Sequence, residues 1–187
     1  MRIALIDNED SFTYNILNIL RQMDGTTTTV FLSSQLNIFA LQGFDKIIIS
    51  PGPGLPQDFP VLSDIIGAYQ KKKSILGICL GHQAICSFYG AKLQNLPAVQ
   101  HGQSQKISVI NKSNIFTDVP NKFNVGLYHS WIVDRNIFPD ELEISSVSEK
   151  KFIMSVSHKK YDVHGVQFHP ESYLCENGRQ IIRNFIN

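Results

Sequence analysis

Cys79 stands in the run Ser74-Ile75-Leu76-Gly77-Ile78-Cys79-Leu80-Gly81-His82-Gln83. A short apolar segment climbs to the thiol. One glycine precedes it by two residues, another follows by two, and an amphipathic stretch begins at once. This Gly-x-Cys-x-Gly pattern is the cysteine counterpart of the Gly-x-Ser-x-Gly elbow, in which a strained strand-to-helix turn lifts a nucleophile out of a sheet. The glycines suit a turn that needs unusual backbone angles and leaves no room for side chains. A helix starting there would favour the thiolate through its N-terminal dipole.

Three further clusters could do chemistry. Gly165-Val166-Gln167-Phe168-His169-Pro170-Glu171-Ser172 delivers a histidine at the end of a strand-like run, with a carboxylate two residues on. Cys79, His169 and Glu171 could then act as nucleophile, base and orienter. A surface histidine beside an unrelated glutamate would leave the same trace. Ser50-Pro51-Gly52-Pro53-Gly54-Leu55-Pro56 follows the apolar Ile47-Ile48-Ile49. At the carboxyl end of a parallel strand such a loop is placed to line a site, although a plain rigid turn reads identically. Tyr128-His129-Ser130-Trp131 could offer backbone groups to a substrate, or could be an ordinary strand with one buried tryptophan. His82, His101, His129, His158 and His164 show no metal-ligand spacing.

The elements that would position these residues alternate in the first half. Strands are expected at Ile3–Ile6, Thr27–Leu32, Ile47–Ile49 and Ile75–Ile78. Between them lie a helix capped by Asp10 or Ser11, with Phe12, Ile16, Leu17, Ile19, Leu20 and Met23 on its apolar face, and a helix through Leu62, Ile65, Ile66 and Tyr69. The helix after Cys79 buries Ala84, Ile85, Phe88 and Tyr89, and Gly90 can end it. The second half is strand-rich: Lys106–Ile110, Phe123–Val133, Leu142–Val147, Phe152–Val156 and Val163–Phe168. A last helix carries Ile181, Ile182, Phe185 and Ile186. The pattern predicts one α/β domain over 1–187, with a central, mostly parallel sheet flanked by helices and added antiparallel strands in the second half.

Composition narrows the class. The 187 residues are 43% hydrophobic and 18% charged, with a net charge of +1, as in an ordinary globular chain. The longest basic run, Lys71-Lys72-Lys73, reads as a solvated helix end, so neither nucleic acid nor an anionic membrane is expected as a partner. No signal peptide or long apolar span is expected. Cys79, Cys86 and Cys175 are sparse and odd in number, which points to a reducing compartment, the cytoplasm. Cys86 is expected to be a core thiol.

Taken together, these segments resemble the class I (triad-type) glutamine amidotransferases. Within them the chain is similar to the chorismate-using branch, the small subunits of anthranilate synthase and para-aminobenzoate (aminodeoxychorismate) synthase. Asp7-Asn8-Glu9-Asp10-Ser11-Phe12-Thr13-Tyr14-Asn15, Ser50–Gly54, Gly77–Gln83, His129-Ser130 and Gly165–Ser172 carry the resemblance, and the opening run points to that branch. The resemblance implies a flavodoxin-like three-layer fold. It implies Cys79 as nucleophile, His169 as base and Glu171 as orienter. Gly52, Pro53 and Gly54 would line the site, and the Gly54 and Leu80 N–H groups would form the oxyanion hole. Gln83 would bind the glutamine head group, and the Ser130 and Trp131 backbone its α-amino and carboxylate end. It further implies L-glutamine as substrate and a larger chorismate-binding synthase subunit as the receiver of ammonia. No metal or organic cofactor is expected in this chain; any magnesium would belong to the partner. Anthranilate synthase component II (tryptophan biosynthesis) is the first expectation and the para-aminobenzoate (folate) counterpart the second. A stand-alone cysteine hydrolase and a non-catalytic subunit are the competing classes. Four positions depart from the family pattern, which usually has Tyr at Glu9, Lys at Gln103, Arg at Leu127 and Leu at Trp131.

Overall fold

The computed structural model describes residues 1–187. Its first half is built on strands apolar on both faces, which can be stable only between two layers. Ile3 and Leu5 of β1 (Arg2–Asp7) face one side with Ile48 of β3 (Lys46–Ile49) and Leu76 of β4 (Ser74–Ile78). On that side they meet Ile16, Leu17 and Leu20 of α1 (Thr13–Arg21) and Ile181, Ile182 and Phe185 of α4 (Gly178–Ile186). Ala4, Ile6, Ile47, Ile49 and Ile75 face the other side. There they pack on α2 (Pro60–Tyr69) and α3 (Leu80–Phe88) through Leu62, Ile65, Ile66, Ala84 and Ile85. The result is a helix–sheet–helix sandwich. Full burial of each such side chain contributes roughly 1.5–3 kcal/mol.

The remaining strands are β2 (Thr27–Leu32), β5 (Leu93–Val109), β6 (Lys122–Val133), β7 (Leu142–Ser148), β8 (Ile153–His158) and β9 (Val163–Val166). One nine-stranded sheet runs β2-β1-β3-β4-β9-β8-β7-β5-β6. Pairings from β2 to β9 are parallel and those from β9 to β6 antiparallel. The sheet curls far enough for its last strand to return: the His169 N–H donates to the Gly126 carbonyl of β6 at 3.1 Å. That curl brings the segment after β9 and the middle of β6 against the end of β4, where Cys79 stands.

Two local expectations are corrected. Neither Asp10 nor Ser11 caps α1, whose flanking residue is Phe12 with no side-chain cap. Instead the Asp7 carboxylate accepts from the Glu9 and Asp10 N–H groups and the Thr13 hydroxyl, while Asp10 accepts from the Phe12 N–H, so the turn is tied before the helix begins. Strand β5 starts at Leu93, well before Lys106. Its early part holds Pro97 and Gly102, is exposed on both faces, and is extended only by pairing with β6 across two register shifts. No apolar alternation marks such a ribbon in sequence.

Candidate active site

The apolar run into Cys79 forms β4, and α3 begins at the next residue. Cys79 adopts φ 51° and ψ −99°, a conformation that L-residues avoid. The neighbouring glycines are dictated by backbone approach. A Cβ on Gly77 would lie 2.4 Å from the Gly81 carbonyl, and one on Gly81 would lie 2.5 Å from the Ile49 carbonyl oxygen. The turn is therefore a true elbow, and it leaves the Leu80 N–H among the unpaired donors at the start of a helix.

The loop after β3 lies beside it. Asn8, fully buried, binds this loop twice: its N–H donates to Ser50 Oγ at 3.0 Å and its Nδ2 to the Ser50 carbonyl at 2.9 Å. Asp58 accepts from the Leu55 N–H and fixes the far end. Gly52, Pro53, Gly54, Cys79, Leu80, Gln83, Ser130 and Trp131, every lining residue expected from sequence, surround one cavity of about 250 Å³ together with Tyr128 and His129. That volume falls just under the range of about 300–1,000 Å³ usual for drug-sized ligands and suits an amino acid. A larger cavity of about 580 Å³ lies across Trp131, and neither a cysteine nor a histidine lines it.

His169 and Glu171 sit behind the sulfur. The imidazole Nδ1–H donates to Glu171 Oε1 at 2.7 Å, with both side chains buried. Nε2 is left free and buried. Burial disfavours the charged ring, yet the Cys79 sulfur and the Glu171 carboxylate more than offset this and push its pKa up to about 10. The other two site histidines go the opposite way. Burial, with His129 nearby, holds His82 at about 3; burial, with His169 nearby, holds His129 at about 4 despite its contact with the Trp131 carbonyl. The site thus combines one charged imidazole with two neutral ones. Cys86 is fully buried and its thiol is pushed up by burial, while Cys175 is raised to about 12.

Three residues lying within the sequence motifs had been given no role of their own at the site. Phe12 and Tyr128 pack edge-on against the His169 ring, with centroids at 5.0 and 4.9 Å. Tyr128 is pinned in turn by Ser172, its hydroxyl 3.0 Å from Ser172 Oγ. Gln167, fully buried, places Nε2 3.6 Å from Cys79 Sγ. The pattern Gln-x-His in an extended segment could have suggested Gln167, since alternate residues share a face. Only the tertiary fold joins Phe12 and Tyr128. Of the departures, Leu127 lies in the core and offers no surface group, Gln103 and Glu9 are exposed, and Trp131 borders the cavity.

Comparison with known proteins agrees with this geometry. A sequence model of glutamine amidotransferase class-I matches residues 4–187. A candidate anthranilate synthase component II of Haemophilus influenzae is 41% identical, covering 100% of this chain and 96% of its own. Aminodeoxychorismate synthase component 2 of Escherichia coli is 36% identical, covering 99% of both. Among solved structures, a candidate GMP synthase subunit from Thermoplasma acidophilum superimposes with a TM-score of 0.90 at 27% identity, over 100% of this chain and 92% of that one.

Proposed function

The chain belongs to the class-I glutamine amidotransferases, and from that premise we propose that Cys79 hydrolyses L-glutamine to supply ammonia to a chorismate-using synthase subunit. The observation that carries the reading is the strained Cys79 elbow opening into an amino-acid-sized cavity, with the His169–Glu171 pair beside the sulfur.

The Cys79 thiolate attacks the side-chain carboxamide carbon, and the oxyanion forms between the Gly54 and Leu80 N–H groups. Each such donor is worth roughly 3–4 kcal/mol in the transition state. The imidazolium of His169 protonates the departing nitrogen, the C–N bond breaks, and ammonia leaves a glutamyl thioester. Neutral His169 then takes a proton from water, which attacks the thioester. Glutamate departs and the thiolate–imidazolium pair is restored. Glu171 keeps Nε2 facing the chemistry by fixing Nδ1–H. Gln83 spends its nitrogen on Trp131 and Gln167, so it offers substrate only its oxygen, an acceptor for an N–H of the glutamine head group.

Ammonia released to water near neutral pH becomes ammonium and loses its nucleophilicity, so the product is useful only when passed directly to a second active site. The partner is a larger chorismate-binding subunit, in the first place an anthranilate-forming one, in the second an aminodeoxychorismate-forming one. The unpaired thiols of Cys79, Cys86 and Cys175 fit the cytoplasm, and no helix is long and apolar enough to cross a membrane. Glutamine hydrolysis measured alone and with each kind of large subunit tests the reading. Stimulation by the anthranilate-forming subunit is expected; stimulation by the other alone assigns the folate pathway, and esterase activity without glutamine turnover contradicts the account.

A further inference from the structure

Gln167 has no part in the chemistry above, yet it is fully buried at its centre. A side-chain amide in that position costs free energy unless its hydrogen bonds are met. The register of β4 and β9 pairs Ile78 with Val166, and the Cys79 N–H donates to the Val166 carbonyl at 2.8 Å. One step further along, Cys79 and Gln167 are neighbours. Gln167 Nε2 then reaches Cys79 Sγ at 3.6 Å, a normal N–H···S separation, while its Oε1 accepts from Gln83 Nε2 at 3.2 Å.

The amide orientations are set by the main chain. Gln83 Nε2 also donates to the Trp131 carbonyl at 3.0 Å. A carbonyl can only accept, so the Gln83 nitrogen is fixed there. Its second hydrogen fixes the Gln167 oxygen, which leaves the Gln167 nitrogen facing the sulfur. Gln83 thus donates to both the Trp131 carbonyl and Gln167, and Gln167 donates onward to the nucleophile.

We propose that Gln167 is a positioning residue that holds the Cys79 sulfur by donating an amide hydrogen to it, favouring the thiolate over the thiol. The proposal rests on the reading of Cys79 as the nucleophile. A thiolate accepts hydrogen bonds more strongly than a thiol, so a fixed donor lowers its free energy. The bond weakens when the sulfur is acylated and returns when the thioester breaks, which favours thiolate as the leaving group in the second step. The titratable groups near the sulfur are His169 with Glu171 behind it, Tyr128 and His129 on β6 and His82 on α3; no Lys or Arg lines the cavity. Gln167 differs from all of them in donating at every pH.

The test is the rate of Cys79 alkylation by iodoacetamide as a function of pH, on the full chain, with Cys79→Ala as the blank for Cys86 and Cys175. Gln167→Met removes the donor at similar length, and Gln167→Glu replaces it by a carboxylate of the same shape. The pH of half-maximal alkylation should rise by about one unit in Gln167→Met, a ten-fold loss of rate on the acid limb of the profile, and further in Gln167→Glu. Folded variants with the wild-type profile within two-fold overturn the proposal. Should both fail to fold, Gln83→Leu leaves Gln167 in place but frees its amide. A shift in the same direction then supports the proposal and an unmoved profile overturns it. Alkylation needs no glutamine. A wild-type chain inert to glutamine but showing the shifts would sink the amidotransferase reading alone, and an active glutaminase with unmoved profiles would sink the Gln167 role alone.

Discussion

Glu171→Gln separates the charge of the orienting residue from its shape. The new side chain still offers an oxygen to the His169 Nδ1–H, held at 2.7 Å from Oε1, so the ring keeps its orientation. What disappears is a buried negative charge. His169 titrates at about 10 instead of 6.5, a preference for imidazolium of roughly 5 kcal/mol at 1.36 kcal/mol per pH unit. Cys79 and Glu171 supply it against the opposing effect of burial. A charge pair about 4 Å apart at an effective dielectric constant near 20 is worth roughly 4 kcal/mol at most. Cys79 is the larger source and Glu171 the smaller, so removing the carboxylate charge should take His169 down by about one to two pH units. The assay is the pH profile of kcat/KM for glutamine hydrolysis, with the imidazole followed by NMR. The basic limb should move towards neutrality and kcat should fall about 10- to 100-fold. Stability carries the same signature. A folded pKa raised above the unfolded value contributes fully below pH 6.5 and is lost as pH rises towards 10. Wild-type unfolding free energy should therefore decline across that window, and that of the variant should decline less. Glu171 Oε2 has no partner, so the amide nitrogen placed there would be buried unpaired, at a cost of about 1–3 kcal/mol. An unmoved basic limb with activity within two-fold of wild type would refute the ion-pair argument.

Two further predictions concern the elbow. Cys79→Gly and Cys79→Ala both remove the thiol, but only glycine relaxes φ 51°; the glycine variant should be the more stable by about 1–2 kcal/mol in urea unfolding, and equal stabilities would mean that the turn stores no strain. Gly77→Ala puts a methyl 2.4 Å from the Gly81 carbonyl and should cost about 2–3 kcal/mol with a large loss of glutaminase activity. Gly67→Ala, whose methyl would meet only the Phe88 ring at 3.5 Å, is the control and should be neutral or slightly stabilising.

The parallel half of the fold was legible because its strands are buried on both faces and its helices on one, so Ile47–Ile49 and Leu62–Tyr69 announce themselves by apolar spacing. Cys79 was legible through its glycines, since steric exclusion leaves a fixed mark in sequence. The long ribbon from Leu93 was not, because hydrogen bonding to β6 extends it without burying an apolar face. Nor was the turn before α1, where Asp7 rather than Asp10 or Ser11 gathers most of the free backbone donors. The roles of Phe12, Tyr128 and Gln167 stayed hidden for another reason. Their relation to Cys79 and His169 depends on the β4–β9 register and on the curl that returns β6 to His169, neither of which has a local signature.

The most direct test uses Cys79→Ala in complex with the chorismate-binding subunit, assayed in parallel with glutamine and with ammonium salt as nitrogen source. The account predicts that glutamine-dependent synthesis disappears while ammonia-dependent synthesis stays at the wild-type rate, because the substitution removes the nucleophile and leaves the partner intact. Glutamine-dependent synthesis surviving at more than a few per cent of wild type would contradict it.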